Sequence, residues 1–252
     1  MKVLILAAGY ATRLYPLTKD KAKPLLPIKG RPIINFIIKG IEPLDEVDKI
    51  YVVTNQKFYD IFCQWRDDYR FDKEIEIIND ETLQDETKLG AIGDIDYVIK
   101  KRDIKDDLLI VAGDNLFNFN LTEFRDKAKK VAPAVSLGIY DVKEKELAKL
   151  YGVVSLNDNN QILELQEKPK MPKSSLIAVG VYLIPKEKLG LIHNYLGEGN
   201  TPDEPGYFIR WLCQKDRVYG IPLVGEWFDI GSLESYHKAN EVWKKMDDED
   251  IS

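Results

Sequence analysis

Short unbroken apolar runs alternate with segments of helical period along the first half of this chain, and few architectures accept that order. Lys2–Leu6, Ile50–Val53 and Leu108–Ala112 read as fully buried strands, because an apolar run without alternation must be covered on both faces. Pro32 stands at a first helical position, and Ile34, Ile37, Ile38 and Ile41 follow at helical spacing. Phe58, Ile61, Phe62 and Trp65 mark a second helix, and Leu89, Ile92, Ile95 and Ile99 a third. Glu74–Ile78 alternates as a strand near a sheet edge does.

Strands separated by helices predict an α/β fold with a mostly parallel, Rossmann-like central sheet covered by helices on both faces. The pattern then loosens. Ala134–Tyr140 and Gly152–Leu156 read as strands, and Asn157-Asp158-Asn159-Asn160 as a turn into Ile162–Glu167. Ile177–Ile184 is a further strand, while Tyr207–Gln214 and Leu233–Lys245 are helical with the strand Val218–Leu223 between them. No internal repeat or Pro/Gly/Ser linker interrupts the chain. The expectation is one domain over residues 1–245, with halves at about 1–130 and 131–245, the second a smaller strand-and-helix region. The acidic tail, residues 246–252, is too charged to pack and is expected to fray.

With 252 residues the chain can bury a substantial core, and its 31% charged and 44% hydrophobic residues suit neither a disordered chain nor a membrane protein. No apolar run reaches bilayer-spanning length, and the first apolar stretch is a strand rather than a leader, so a cytoplasmic protein is expected. A net charge of −6 and a pI near 5.2 argue against nucleic-acid binding. Cys63 and Cys213 lie far apart without metal-ligand spacing and read as small core hydrophobes. His193 and His237 belong to no motif, which disfavours a histidine base or a zinc-bound water. The cations are unevenly placed. Lys19, Lys21, Lys23 and Lys29 lie between Arg13 and Arg31, with Asp20 the single acid among them. Beside a glycine turn such a cluster suits phosphates, although a solvated loop would look the same.

Ligands of open α/β sheets bind beyond the carboxyl ends of the strands, and four polar clusters fall at such ends. The first, Leu6-Ala7-Ala8-Gly9-Tyr10-Ala11-Thr12-Arg13-Leu14, offers small residues for close approach of backbone N–H groups to phosphate, and Arg13 as a charged fork. Its single glycine rules out the dinucleotide fingerprint, and no Gly-Lys-Ser/Thr follows as a Walker loop requires. The second, Lys23-Pro24-Leu25-Leu26-Pro27, sets a lysine on a stiff segment. The third, Val111-Ala112-Gly113-Asp114-Asn115, ends a buried strand in an acid able to hold Mg²⁺, although a turn-forming aspartate reads equally well in isolation. The fourth comprises Tyr151-Gly152-Val153-Val154, Glu167-Lys168-Pro169 and Trp227-Phe228-Asp229-Ile230-Gly231.

In this order the clusters resemble the signature of the sugar-phosphate nucleotidyltransferases, such as the glucose-1-phosphate thymidylyltransferases and the UTP–glucose-1-phosphate uridylyltransferases. The resemblance runs from about Met1 to Glu241. It implies a nucleotide half followed by a sugar-phosphate half, and an enzyme that joins a nucleoside triphosphate to a sugar 1-phosphate with release of pyrophosphate. It further implies Arg13 and Lys23 as catalytic residues, and Leu6, Ala8, Gly9, Ala11 and Thr12 as nucleotide contacts. Asn115, Gly152, Glu167, Lys168 and Gly180 fall to the sugar phosphate, and Asp114 and Asp229 to Mg²⁺, as one ion or two. At Ala11 the family usually carries a second glycine, so the loop follows a different path or alanine accepts an angle it disfavours.

The inventory suits that chemistry. A phosphate monoester has a second pKa of about 6, so its nucleophilic oxygen is already ionised near neutrality and no general base is required. Base recognition is less defined. The segment Asn79–Gly90 lacks the Gln-Pro of thymidylyltransferases; Thr82 is placed to hydrogen-bond a base and Gly90 to let backbone approach it. The family's later Gly-Glu-Leu is replaced by Pro202–Phe208, which leaves the acceptor open beyond glucose. dTTP or UTP is the expected nucleotide. A CTP-dependent cytidylyltransferase acting on a phospho-alcohol such as phosphocholine is the second reading, and a non-catalytic sugar-nucleotide sensor the third. The sequence admits either a monomer or a homo-oligomer.

Overall fold

In the computed structural model the described residues are 1–249, with backbone alone from 244 onward. The chain begins β1 (Lys2–Leu6), β2 (Pro27–Ile28), β3 (Arg31–Pro32), α1 (Ile33–Ile41), β4 (Lys49–Thr54), α2 (Tyr59–Asp68) and β5 (Glu74–Asn79). Next come α3 (Ala91–Arg102), β6 (Leu108–Ala112), β7 (Asn115–Phe117), α4 (Leu121–Lys130), β8 (Val135–Asp141), α5 (Lys145–Ala148) and β9 (Gly152–Leu156). β10 (Ile162–Glu167), β11 (Leu176–Ile184), α6 (Gly190–Gly197), α7 (Pro205–Lys215), β12 (Val218–Pro222), β13 (Trp227–Asp229) and α8 (Leu233–Glu249) complete it. The architecture is α/β: a central mixed sheet with helices beside it and a smaller strand-and-helix region.

Two compact units interleave along the sequence. The first comprises Met1–Leu4, Leu89–Val111 and Asn120–Val224; the second comprises Ile5–Lys88, Ala112–Phe119 and the chain from Gly225. In the first unit β11 is the hub. It pairs antiparallel with β6, β8 and β9, and its residues are buried at alternate positions. β9 and β10 form an antiparallel hairpin, turned by Asn157, whose Oδ1 accepts the N–H groups of Asn159 and Gln161 at 3.0 Å each. β12 runs parallel to β8. In the second unit β4 and β5 pair in parallel from Lys49↔Glu74 to Thr54↔Asn79, and β5 closes an edge as its alternation predicted. The expected parallel bias is therefore corrected to a mixed sheet. A connection as short as that of β9 and β10 allows only antiparallel pairing, whereas parallel strands need a long crossover.

Local expectations hold with small shifts. α1 buries Ile33, Ile34, Ile37, Ile38 and Ile41, but Pro32 is its N-cap, with extended ψ of 142°, rather than its first residue. Leu89 precedes α3 instead of opening it, and α8 runs past the expected end at Lys245 to Glu249. The rest of the tail expected to fray, residues 250–252, lies outside the described residues. α4 and α6 were not foreseen. α4 buries only Leu121, Phe124 and Ala128 amid charged residues, and Asn120 caps it by accepting the Thr122 and Glu123 N–H groups. Among the described residues no helix is long and apolar enough to cross a membrane.

The second unit contains an apolar cluster of Leu14, Leu26, Ile28, Ile33, Leu116, Ile230, Ala239 and Trp243. Four of these stand within three residues of Arg13, Lys23, Asp114 and Asp229, so one core anchors all four positions. Gly113, just before Asp114, donates its N–H to the Leu6 carbonyl at 2.9 Å, and a Cβ there would stand 2.7 Å from that oxygen. Gly113→Ala is therefore expected to lower stability by about 1–3 kcal/mol, the usual cost of overpacking. Urea unfolding checks this, and an unchanged midpoint would contradict the close approach.

Candidate active site

The glycine turn leaves β1 in the second unit and is held from below by buried polar contacts. Asn55, fully buried, donates Nδ2 to the Ala8 carbonyl at 2.8 Å, and the Ala7 N–H reaches the Val53 carbonyl at 2.8 Å. Gly9 is exposed, with open space where a side chain would begin. Ala11 takes the left-handed conformation itself, with φ 49° and ψ 41°. An L-residue there costs roughly 1–2 kcal/mol. The Thr18 hydroxyl, donating to the Ala11 carbonyl at 2.7 Å, and the Leu14 N–H at 3.1 Å hold it in place. The alanine thus accepts the disfavoured angle. Thr12 and Arg13 follow, exposed, in a single 3-10 turn whose Leu14 is buried.

Lys23 opens another 3-10 turn, and its ammonium lies 2.6 Å from Asp114 Oδ2 and 3.9 Å from Asp229 Oδ1. The two aspartates meet through the β7–β13 ladder. Asp229 pairs with Asn115, and the Ile230 N–H donates to the Asp114 carbonyl at 3.3 Å. Asn115 is buried; its Nδ2 donates to Asp114 Oδ1 at 2.8 Å, and its Oδ1 accepts the Trp227 indole N–H at 2.6 Å. Burial acts to raise the Asp114 pKa. The Lys23 charge, its hydrogen bond and the Asn115 amide outweigh that, and the carboxyl stays below its ordinary value.

The first unit holds a second charged group. Lys168, with φ 44°, donates its N–H to the Tyr151 carbonyl at 3.0 Å. Its Nζ stands 3.5 Å from Glu167 Oε1 and 3.6 Å from Glu204 Oε1. Glu167 Oε2 packs on backbone: a Cβ on Gly152 would meet it at 3.1 Å and one on Gly206 at 1.9 Å. Burial raises the Glu167 pKa, with Lys168 opposing and Glu204 adding to the rise.

Other positions singled out in sequence also make local contacts. Thr82 is buried, its Oγ1 donating to Asp80 Oδ1 at 2.8 Å with the Tyr10 hydroxyl 3.4 Å away, so its proton is committed within the protein. Gly90 has φ 78°, and the backbone of Pro202 and Asp203 comes within 2.7 Å of where its Cβ would be. Close packing at the start of α3 accounts for that glycine. Gly180 is half-buried in β11, between Ala178 and Tyr182, where the register with β8 shifts. The residues from Leu6 to Thr82, with Asp114, Asn115 and Asp229, belong to the second unit; Gly90, Gly152, Glu167, Lys168 and Gly180 belong to the first. Glu204 and Trp227 were not on the sequence list of site residues. An acid directly before Pro205 at a helix start was the available signal for Glu204, and an indole two residues from Asp229 the signal for Trp227.

The chain belongs to the nucleotidyl transferase family, whose model matches residues 2–245. It is 34% identical over 241 residues to the bifunctional protein GlmU of Methanocaldococcus jannaschii, a match that covers 96% of this chain and 54% of the relative. It is 30% identical to a UTP–glucose-1-phosphate uridylyltransferase of Synechocystis sp., over 95% of this chain and 62% of that one. A solved UDP-glucose pyrophosphorylase complexed with UDP-glucose shares the fold, with a TM-score of 0.80 at 18% identity, covering 97% of this chain and 98% of the other. The chain spans about half the length of the first curated relatives it matches.

The ion contact at Lys23 has a pH signature. A depressed Asp114 pKa contributes stability above the unfolded value of about 3.9, and that contribution is lost as pH falls through the lower folded value. Lys23→Met removes the charge that depresses it. The variant is expected to melt below wild type near neutral pH, with the gap narrowing as the solution is acidified toward and below about pH 4. Thermal melts across that range test this; a gap independent of pH would contradict it.

Proposed function

We propose that the chain transfers a nucleotidyl group from a nucleoside triphosphate, dTTP or UTP, to a sugar 1-phosphate and releases pyrophosphate. The observation that carries this reading is the contact of the Lys23 ammonium with both Asp114 and Asp229, in the same unit as the glycine turn and the exposed Arg13. Family membership supports the reaction class, and the uridylyltransferase relative is in keeping with UTP.

In the reaction, an ionised phosphate oxygen of the acceptor forms a bond to the α-phosphorus. The bond from that phosphorus to the bridging oxygen breaks, and its electron pair leaves with pyrophosphate. No proton has to be taken from the nucleophile, so positioning and charge neutralisation carry the catalysis. Arg13 would bind the departing pyrophosphate with its planar fork, and Lys23 would share that charge. Lys168 would hold the acceptor phosphate and Glu167 the sugar hydroxyls.

The carboxylate oxygens of Asp114 and Asp229 suit Mg²⁺, which commonly takes one or two carboxylates and completes its shell with phosphate oxygens and water. The donor set fits in kind, because both side chains offer hard carboxylate oxygens and both approach the same Lys23 ammonium. When bound, the metal would polarise the α-phosphate.

A pyrophosphate-release screen tests the proposal, crossing nucleoside triphosphates with sugar 1-phosphates and phosphocholine. Release with dTTP or UTP and a sugar 1-phosphate is expected. Release confined to CTP and phosphocholine would select the cytidylyltransferase instead, and nucleotide-sugar binding without turnover a sensor. With the productive pair, Arg13→Ala should lower kcat by about 10²–10³, the range for a lost transition-state donor, with little change in melting temperature. Near-normal turnover would remove Arg13 from the mechanism.

A further inference from the structure

We propose that Trp227 is a positioning residue: its indole N–H fixes the Asn115 amide, which in turn sets the Asp114 carboxylate for cation binding. The inference rests on the reading of Asp114 as a cation-binding carboxylate. Trp227 lies on β13, two residues before Asp229, and its Nε1 donates to Asn115 Oδ1 at 2.6 Å. Asn115 opens β7, is 6% exposed, and passes its Nδ2 to Asp114 Oδ1 at 2.8 Å. Asp114 Oδ2 faces Lys23 at 2.6 Å.

The chemistry of an amide makes this order directional. An asparagine offers an oxygen that only accepts and a nitrogen that only donates, whereas an indole N–H can only donate. The indole therefore must meet Oδ1, which turns the NH₂ toward Asp114. Were the amide reversed, its NH₂ would face the indole donor and its Oδ1 would face the Asp114 oxygen, and neither contact could form. In a buried site such a reversal leaves polar groups without partners. With Oδ1 of Asp114 tied to the amide, Oδ2 is the oxygen presented to the Lys23 ammonium, and the carboxylate that would hold the cation is fixed in orientation. The sheet supplies the rest of the geometry, since Asp229 and Asn115 are direct partners in the ladder that carries Trp227.

Trp227→Phe keeps a ring on the strand and removes the N–H. In the full chain without nucleotide, Mn²⁺ titration followed by electron paramagnetic resonance should show binding about 10–100-fold weaker, the range for lost partners of metal-ligating groups. This readout uses neither substrate, so it stands apart from the outcome of the substrate screen. Asn115→Ala should weaken Mn²⁺ at least as much, and adding W227F to N115A should cause little further loss. KM for the nucleotide should rise in W227F while KM for the acceptor holds. Mn²⁺ affinity equal to wild type in W227F or in N115A would overturn the proposal. So would an equal loss from W227F with and without N115A, because the indole would then act by another route.

Discussion

Two carboxylates from distant parts of a chain do not settle side by side without a cation between them. Asp114 follows β6 and Asp229 ends β13, and the Lys23 ammonium at 2.6 and 3.9 Å is what makes their approach tolerable. The same contact holds the Asp114 carboxyl below its ordinary pKa, against the desolvation that acts to raise it. Three segments that are remote in sequence thereby become one polar site: the turn after Ala22, the turn after β6 and the end of β13. What attracts the lysine is also what would attract a divalent ion. In the proposed reaction the same carboxylate oxygens would hold Mg²⁺.

Apolar packing gives that site its precision. Leu14, Leu26, Leu116 and Ile230 belong to one cluster, and each stands close along the chain to Arg13, Lys23, Asp114 or Asp229. A loop residue held one to three positions from a buried anchor has little freedom to wander. Lys23 gains from Pro24, which restricts the backbone directly beside it. The glycine turn uses another device. Asn55 and Thr18 satisfy the carbonyls of Ala8 and Ala11, and Ala11 is thereby kept in a conformation an alanine seldom adopts.

Much of this was legible in the sequence, and the failures have physical causes. The strands Lys2–Leu6, Lys49–Thr54 and Leu108–Ala112 show as apolar runs because burial on both faces leaves no alternation to obscure them. α4 escaped notice because three buried residues among charged ones make too narrow a stripe. The motif residues Arg13, Lys23, Asp114 and Asp229 could be named from local spacing and resemblance. The resemblance also assigned Asp114 and Asp229 jointly to Mg²⁺, but the ladder that brings them together could not be read, since β7 and β13 are three residues each and their register is set by tertiary packing. Nor could the internal contacts of Thr82 and Gly90 be read: the hydroxyl of one donates to Asp80, and the backbone of the other packs on Pro202 and Asp203.

Under the proposed reaction Asp114 and Asp229 act as one unit. The most direct measurement is pyrophosphate release by Asp114→Asn, Asp229→Asn and the double variant, at saturating nucleotide and Mg²⁺. Residues that act together lose most of their effect with the first change, so each single variant should lose most turnover and the double little more. If the two losses instead multiply as independent contributions would, the aspartates serve separate purposes, and the account of a shared cation site is wrong.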